Sequence, residues 1–271
     1  MRPGALGIAS VARVVGILGG MGPEATVMLL QPLIIARPVT DDADHIPLLV
    51  NRNPQVPSRL GFMLDGEPID PGPTLVSMAK GLQTSGAAVL AMPCAVAHRY
   101  QGQIEEAVDV PLLDMVRLSA DAAATLTCTG VGIGILGSPA VRKLALFDAA
   151  LRAAGLEPVY PSDEAALLAA IRQINTEGPV VLARSTMGAA SAELLAQGVH
   201  VQIIACVEFS LIASALPAGV QPIDTLDQLV AEIIALSTAN PTPSETTTSR
   251  RSRGAVSKSS IDQQGKEFSL C

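Results

Sequence analysis

Two cysteines stand at positions where a thiol could do chemistry. Cys94 follows the apolar run Ala87–Met92 and Pro93, and Cys206 follows the apolar run Val201–Ala205. Each run predicts a buried strand, and the ends of parallel strands face the ligand crevice of an α/β sheet. A helix after the strand would direct its positive N-terminal end at the sulfur and favour the thiolate, which is the reactive form of cysteine.

Both cysteines also have a purely structural interpretation. A free cysteine is among the most buried residue types and usually packs as a small hydrophobe, and a disulfide between Cys94 and Cys206 is a further alternative. His98, four residues after Cys94, is as consistent with capping or packing as with proton transfer. The catalytic interpretation is favoured because both cysteines end apolar runs at matching places in two halves of the chain.

A glycine-rich turn lies near the N-terminus. The run Arg13–Gly20 predicts a central parallel strand, followed by a turn at Met21 and Gly22 and by a helix from Pro23 to about Ile35. Backbone N–H groups at such a strand-to-helix turn can bind an anion or a carboxylate. The turn matches neither a dinucleotide-binding fingerprint nor a phosphate-binding P-loop, so it gives little support for a bound nucleotide.

A stiff loop presents the candidate carboxylate-binding residue. Pro54 and Pro57 restrict the loop that ends at Arg59. An arginine held in this way can bind a carboxylate through two parallel hydrogen bonds. A solvated surface arginine is an equally good interpretation of the spacing alone.

The second half of the chain repeats the first. GILGG at Gly16–Gly20 returns as GILGS at Gly134–Ser138, 118 residues later, and the two cysteines lie 112 residues apart. Offsets this similar indicate an internal duplication. The predicted fold is therefore α/β, with two pseudo-symmetric lobes that each contain a small parallel sheet flanked by helices. Pairing of the lobes would place both cysteines across one cleft, a common location for small-ligand sites.

Further elements complete the two halves. The predicted strands are Ile46–Val50, Val110–Leu113 and Glu157–Tyr160, and the predicted helices are Gly72–Gly86, Leu118–Gly130, Pro139–Ala154, Asp163–Ile174, Val180–Gln197 and Pro222–Leu236. We expect residues 13–118 and 222–238 to form lobe 1 and residues 119–221 to form lobe 2. Residues 239–271 are rich in Ser, Thr and charge, and they predict a disordered tail.

Composition excludes several classes of function. The 271 residues are 49% hydrophobic and 16% charged, which predicts a well-buried globular body. A net charge of −7 and a pI of about 5.0 argue against broad binding to nucleic acid or to anionic membranes. The four cysteines show no spacing typical of a zinc site. No sustained apolar region precedes Arg13 and no apolar run reaches about 20 residues, so we expect no secretory signal and a cytoplasmic protein with no membrane partner.

Four motifs, taken in order, resemble the PLP-independent aspartate/glutamate racemase family, particularly its aspartate racemase branch. They are GILGGMGPEAT at Gly16–Thr26, NPQVPSR at Asn53–Arg59, MPCAVAH at Met92–His98 and IIACVEFS at Ile203–Ser210. The resemblance covers roughly residues 13–238. It implies two flavodoxin-like lobes related by a pseudo-two-fold axis, commonly assembled as a homodimer.

The resemblance also implies a mechanism. In the family, one cysteine thiolate removes the α-proton of a small-molecule substrate while a second thiol supplies a proton from the opposite face, and neither a cofactor nor a metal takes part. Carried over, the catalytic pair is Cys94 and Cys206. The implied substrate-binding residues are Met21, Gly22, Arg59, Ala95, Val96, Val141, Val207 and Glu208.

Several positions depart from the family pattern. Ala95 and Val96 stand where the family has Asn and Thr, and Val207 stands where it has Thr. Val141 falls on a threonine-rich substrate loop, and a family lysine falls near Glu177. Each lost partner would cost about 1–3 kcal/mol if a polar group of the substrate stayed buried and unpaired.

These departures predict an isomerase for a carboxylate or carbonyl substrate that is less polar than free aspartate. Another cysteine-based reaction of the superfamily, such as decarboxylation, cis/trans isomerisation or cyclisation, is an alternative, and so is a non-catalytic ligand-binding relic. The presence of both cysteines and of Arg59 favours the isomerase.

Overall fold

Parallel strands form two small sheets. The structure, a computed structural model, describes residues 13–36 and 39–238. Its strands are β1 (Val15–Gly19), β2 (Leu48–Arg52), β3 (Val89–Ala91), β4 (Gly132–Leu136), β5 (Glu157–Val159), β6 (Val201–Ile204) and β7 (Gln221–Asp224). The first sheet has the order β2-β1-β3, and the second has the order β5-β4-β6-β7. Every pairing within both sheets is parallel.

Helices connect the strands. They are α1 (Pro23–Ile35), α2 (Gly72–Thr84), α3 (Gln101–Glu105), α4 (Met115–Leu126), α5 (Pro139–Lys143), α6 (Asp148–Ala153), α7 (Glu164–Glu177), α8 (Val181–Ala196), α9 (Val207–Ser210) and α10 (Thr225–Thr238). None of these described helices is long and apolar enough to cross a membrane.

The two sheets repeat one strand order, which confirms the predicted fold class. β1 and β4 are the central strands, and each is followed along the chain by its edge neighbour β2 or β5 and then by β3 or β6 on its other side. The predicted strand Val110–Leu113 is reduced to a single parallel bridge between Leu90 and Leu112. Leu112 therefore lies beside β3 in the first sheet, just as β7 lies beside β6 in the second sheet.

One predicted helix is divided into two. The prediction of a continuous helix over Pro139–Ala154 is wrong because Ala145 adopts a left-handed conformation, with φ of 47°. This conformation costs a residue with a Cβ about 1–2 kcal/mol. It turns the chain so that Phe147 is completely buried, and burial of a side chain of this size contributes about 1.5–3 kcal/mol.

A second correction concerns the two edges of the second sheet. Pro222 was predicted to begin the last helix, but it lies in β7, and the helix begins at Thr225. Proline has no N–H to donate and is tolerated in edge strands. Pro158 occupies a similar place in β5, so both edge strands of this sheet contain a proline.

One apolar core joins the two halves. A continuous cluster of buried side chains includes Ile17 and Ala91 from the first sheet and Ile135 and Ile203 from the second. Helix α10 follows β7 of the second sheet but packs against α1 and α4. The division into lobes at residues 118 and 222 stays a prediction, and the predicted tail 239–271 lies outside the described residues.

The glycine-rich turn brings two loops together. Gly20 has a φ of 95°, and a Cβ at this position would lie 2.5 Å from the backbone of Asn53. The Gly20 N–H donates to the hydroxyl of Thr26 at 2.9 Å, which fixes the start of α1 against the end of β1. Glycine is therefore required here for the loop that leads to Arg59 to approach the turn at Met21.

A buried carboxyl group connects β7 with α9. Asp224 accepts hydrogen bonds from the Ser210 hydroxyl and from the Leu226 N–H, both at 2.9 Å. Burial raises the pKa of Asp224 to about 6, although these two hydrogen bonds oppose the change. The folded state therefore binds this proton more tightly than the unfolded chain does.

We predict that Asp224 makes stability fall as the pH rises from about 4 to about 6. Because the pKa is about 2 units higher in the folded state, the loss should be about 3 kcal/mol. Asp224→Asn should remove this slope and increase the free energy of unfolding at pH 8, as measured by urea denaturation across this pH range. The exposed Asp121→Asn is the control, and an Asp224→Asn profile parallel to the wild-type profile would contradict the assignment.

Candidate active site

Both cysteines line one internal cavity of about 110 Å³. The cavity lies where the carboxyl ends of β3 and β6 approach each other. Its lining residues are Met21, Ser58, Arg59, Leu60, Cys94, Ala95, Val96, Ile171, Asn175, Ala205, Cys206, Val207 and Glu208. Cys94, Cys206 and the exposed Cys128 are all free thiols, so the two cavity cysteines do not form a disulfide.

Cys94 lies in a tight turn after β3. Its N–H donates to the Met92 carbonyl at 2.8 Å, and its carbonyl accepts from the Ala97 N–H at 3.2 Å. The side chain is partly exposed. The turn holds the sulfur at the edge of the first sheet, where an incoming molecule can reach it.

His98 fixes this turn from behind. Nδ1 of His98 lies 3.0 Å from the Cys94 carbonyl, and Nε2 lies 3.3 Å both from the Leu113 carbonyl and from the Met115 nitrogen. Burial lowers the pKa of His98, and hydrogen bonding to Cys94 opposes this. Of the two roles that the sequence left open for His98, the geometry supports packing and positioning, because both ring nitrogens are engaged away from the sulfur.

Cys206 is buried at the end of β6, with 7% of its surface exposed. The Ser138 N–H donates to its sulfur at 3.3 Å, and Ser138 itself follows β4. Burial holds the pKa of Cys206 well above its usual range, and the negative charge of Glu208 adds to this effect. Cys206 is therefore a thiol at neutral pH.

Neither sulfur is followed directly by a long α-helix. Cys94 precedes a 3-10 turn over Val96–Tyr100, and Cys206 precedes the four-residue α9. A single helical turn has few aligned peptide dipoles and contributes little field. The prediction that a following helix favours the thiolate is wrong for Cys206, because the cost of burying a charge is larger.

Polar groups are concentrated at one end of the cavity. The Asn175 side-chain amide donates to Oε1 of Glu208 at 3.2 Å. Burial raises the pKa of Glu208, while Asn175 and the positive charge of Arg59 oppose this change. Nε of Arg59 is buried and has no hydrogen-bond partner among the described residues. An arginine donor with no partner is suited to an anionic group of a ligand.

Most of the predicted site residues meet at the cavity. Its lining includes both predicted catalytic cysteines and six of the predicted binding residues, namely Met21, Arg59, Ala95, Val96, Val207 and Glu208. Gly22 instead lines a smaller adjoining cavity with Glu24, Asn175 and Glu208. Val141 is completely buried against Gly137, outside the cavity lining. Glu177 lies at the exposed end of α7, where it accepts a hydrogen bond from Gln173.

Sequence reasoning missed the contribution of α7. Ile171 and Asn175 lie four residues apart on one face of this helix, and both line the cavity. The spacing shows that they share a face, but the sequence does not say which face of α7 meets the cleft. Ser58, Leu60 and Ala205 were missed although they directly adjoin predicted residues. Within residues 13–36 and 39–238, no group of His, Cys, Asp and Glu is arranged to hold a metal ion.

The fold and the site together define an α/β protein with two small parallel sheets and a cavity that is lined by two cysteines. The family model for Asp/Glu/Hydantoin racemase matches residues 18–233. The chain belongs to this family of racemases.

Individual relatives agree with the family assignment. The broad specificity amino-acid racemase RacX of Bacillus subtilis (strain 168) is 24% identical over 222 residues, which cover 78% of this chain and 92% of RacX. Among solved structures, the fold is similar to that of Picrophilus torridus aspartate racemase, with a TM-score of 0.71, 24% identity and coverage of 83% and 94% of the two chains. A putative Asp/Glu racemase from Yersinia pestis gives a TM-score of 0.69 at 20% identity, with 84% and 100% covered.

We predict that His98→Ala lowers the free energy of unfolding by about 2–4 kcal/mol at pH 7.5, because it leaves the Met115 N–H and the Cys94 carbonyl without this partner. The folded state favours the neutral ring, so the stability that His98 contributes is present above pH 6.5 and is lost as the pH falls below it. Urea denaturation at pH 7.5 and 5.5 should show the difference between the variant and the wild type shrinking. The exposed His200→Ala is the control, and a pH-independent difference would argue against a buried neutral ring.

Proposed function

We propose that this protein is a cofactor-independent racemase or isomerase in which Cys94 and Cys206 exchange protons with opposite faces of one carbon atom. The observation that carries the proposal is that one cavity is lined by both thiols and by an arginine donor without a partner. The two sulfurs come from equivalent strand ends of the two sheets, so they approach a bound molecule from different sides.

The cavity walls support a substrate that is less polar than free aspartate. Around the thiols, the lining side chains Ala95, Val96, Ala205, Val207 and Ile171 are apolar and offer no hydrogen bond to an ammonium or a second carboxylate. A polar group buried there would lose about 1–3 kcal/mol for each missing partner. A single carboxylate or carbonyl can instead be placed at the polar end, beside Arg59.

The proposed reaction keeps atoms and electrons balanced. The Cys94 thiolate takes the α-proton, and the electron pair of the broken C–H bond delocalises into the adjacent carboxylate or carbonyl group. The Cys206 thiol then gives its proton to the opposite face of that carbon and becomes a thiolate. The carbon is inverted, and no electron enters or leaves the substrate.

The protonation of Cys206 supports this division of roles. A two-base reaction needs one thiol and one thiolate at rest. Because burial and Glu208 hold the pKa of Cys206 high, Cys206 is the acid of the resting protein, and Cys94 takes the part of the base. After one turnover the roles are exchanged, and the reverse reaction starts from that state.

The printed name of one relative bears on the substrate. RacX is called a broad specificity amino-acid racemase, which is consistent with a family member that acts beyond aspartate and glutamate. We therefore propose that this chain acts on carboxylates with an apolar group at the reacting carbon.

A single-cysteine reaction is the second candidate. The buried Cys206 thiol is protonated at neutral pH, so it has a proton to donate without the help of Cys94. In a decarboxylation, the C–C bond to the leaving carboxylate breaks, carbon dioxide leaves, and the electron pair that remains on carbon takes the proton of Cys206. Water then returns a proton to the sulfur, so Cys94 would not be essential.

The deciding experiment follows α-hydrogen exchange in deuterium oxide by NMR. With a panel of chiral carboxylates, we expect exchange and inversion for those with an apolar α-substituent, and very weak activity on aspartate or glutamate. Cys94→Ser and Cys206→Ser should each abolish inversion, although one variant can still exchange hydrogen from its own face. Full inversion by either variant would reject the two-base scheme, and turnover of aspartate at about 1–1000 per second would reject the substrate class.

A separate prediction tests Arg59. Iodoacetate and iodoacetamide both alkylate cysteine, but only iodoacetate carries a carboxylate. The ratio of the iodoacetate rate to the iodoacetamide rate at Cys94 therefore measures how strongly the cavity attracts a carboxylate. Arg59→Gln should lower this ratio about 10- to 150-fold, since a hydrogen bond to a charged group contributes about 1.5–3 kcal/mol. Rates are measured by peptide mass spectrometry relative to the exposed Cys128. The exposed Arg99→Gln is the matched control, and an equal ratio in both variants would exclude Arg59 as the carboxylate-binding residue.

A further inference from the structure

Residues 58–67, here called the rim segment, form part of the cavity wall. The segment supplies Ser58, Arg59 and Leu60 to the lining and continues as a π-helical turn over Gly61–Asp65. Gly66 ends the turn in a left-handed conformation, with φ of 76°. The segment therefore carries the proposed carboxylate-binding arginine on a short irregular turn and not on a long helix or strand.

Two side chains from the second half of the chain form hydrogen bonds to this turn. Lys143 at the end of α5 donates from Nζ to the Met63 carbonyl at 2.5 Å. Arg172 of α7 donates from Nη2 to Oδ2 of Asp65, also at 2.5 Å. Arg172 directly follows Ile171, which lines the cavity, so the ion pair connects the rim segment with the helix on the other side of the cleft.

The ion pair also lines an open depression beside the cavity. An open outer depression of about 560 Å³ is lined by both Asp65 and Arg172. It shares Ser58, Leu60 and Asn175 with the inner cavity that contains the thiols. A molecule that enters the cavity from the depression would pass these shared residues, next to the ion pair.

We propose that Asp65 and Arg172 form a latch that holds the rim segment across the cleft, so that it positions Arg59 and restricts access to Cys94. Both are positioning residues, because they act through the rim segment and do not line the inner cavity. The role of Arg59 rests on the proposed function, whereas the control of access does not.

The ion pair between Asp65 and Arg172 is partly exposed to solvent, which allows it to open and close repeatedly. The side chains of Arg172 and Asp65 are 51% and 44% exposed, so water and salt reach both charges. An exposed ion pair is weakened by salt and contributes little to global stability. The latch can therefore break without unfolding the protein, and Lys143 adds a second hold on the same turn.

The test compares alkylation of Cys94 by the bulky, uncharged reagent N-ethylmaleimide with alkylation of the exposed Cys128 in the same molecule. Asp65→Asn and Arg172→Gln should each raise the Cys94-to-Cys128 rate ratio about two- to five-fold, the range that the energy of an exposed ion pair allows. The charge exchange Asp65→Arg with Arg172→Asp should return the ratio towards the wild-type value. Arg117→Gln, which breaks the exposed Arg117–Asp121 pair on α4, is the matched control and should leave the ratio unchanged.

Ionic strength gives a second measurement on the unaltered protein. Salt screens the pair, so raising it from about 0.05 M to about 0.5 M should increase the wild-type ratio but not the Asp65→Asn ratio. Unchanged ratios in both single variants would overturn the proposal, as would a charge exchange that restores nothing. If the variants fail to fold, a wild-type ratio that does not respond to salt overturns it.

The latch and the proposed function can fail separately. Alkylation needs no turnover, so a latch response without α-hydrogen exchange would retain the latch and reject the racemase. Conversely, Arg59→Gln could lose the preference for iodoacetate while Asp65→Asn and Arg172→Gln leave the Cys94-to-Cys128 rate ratio unchanged. That result would retain Arg59 as the carboxylate-binding residue and reject the latch.

Discussion

The packing of two parallel sheets on one shared apolar core is the constraint on which the site depends. Side chains from both halves, such as Ile17 and Ile135, belong to one buried cluster, and burial of this kind is the main favourable term in folding. Because β3 and β6 occupy equivalent places in the two sheets, their carboxyl ends reach the same cleft. Cys94 and Cys206 follow those ends, so their joint position is a consequence of how the core is built.

This apolar environment also decides the electrostatics of the cleft. A charge that is taken out of water must be paired or neutralised, and three groups here respond in different ways. Cys206 stays protonated. The pKa of Glu208 is raised by burial, although Asn175 and Arg59 oppose the rise, and burial lowers the pKa of His98 among backbone groups. The same desolvation that makes the Cys206 thiol a poor nucleophile keeps its proton on the sulfur at neutral pH, and only the protonated form can act as the acid.

The sequence was most informative where chemistry and local pattern coincide. Apolar runs that end in cysteine, a glycine-rich turn and a repeated GILG motif predicted both sheets and most of the cavity. It was least informative where tertiary packing selects among local alternatives. The cleft-facing side of α7, with Asn175, depends on how that helix docks. The break at Ala145 is compensated by burial of Phe147, and no glycine or proline in residues 140–154 marks it in the sequence. Proline at 222 was compatible with a helix start and with an edge strand, and only the neighbouring β6 decides between them.

The prolines in β5 and β7 have a consequence for the behaviour of the chain in a crowded solution. An open sheet edge presents unpaired backbone groups on which a strand of another molecule can be added, and this is a common start of aggregation. Pro158 and Pro222 each remove a donor from one edge of the second sheet. A strand of another molecule would find a missing hydrogen-bond donor at either edge of this sheet. The sheet is therefore protected from the addition of foreign strands even while the rest of the molecule is still folding around it.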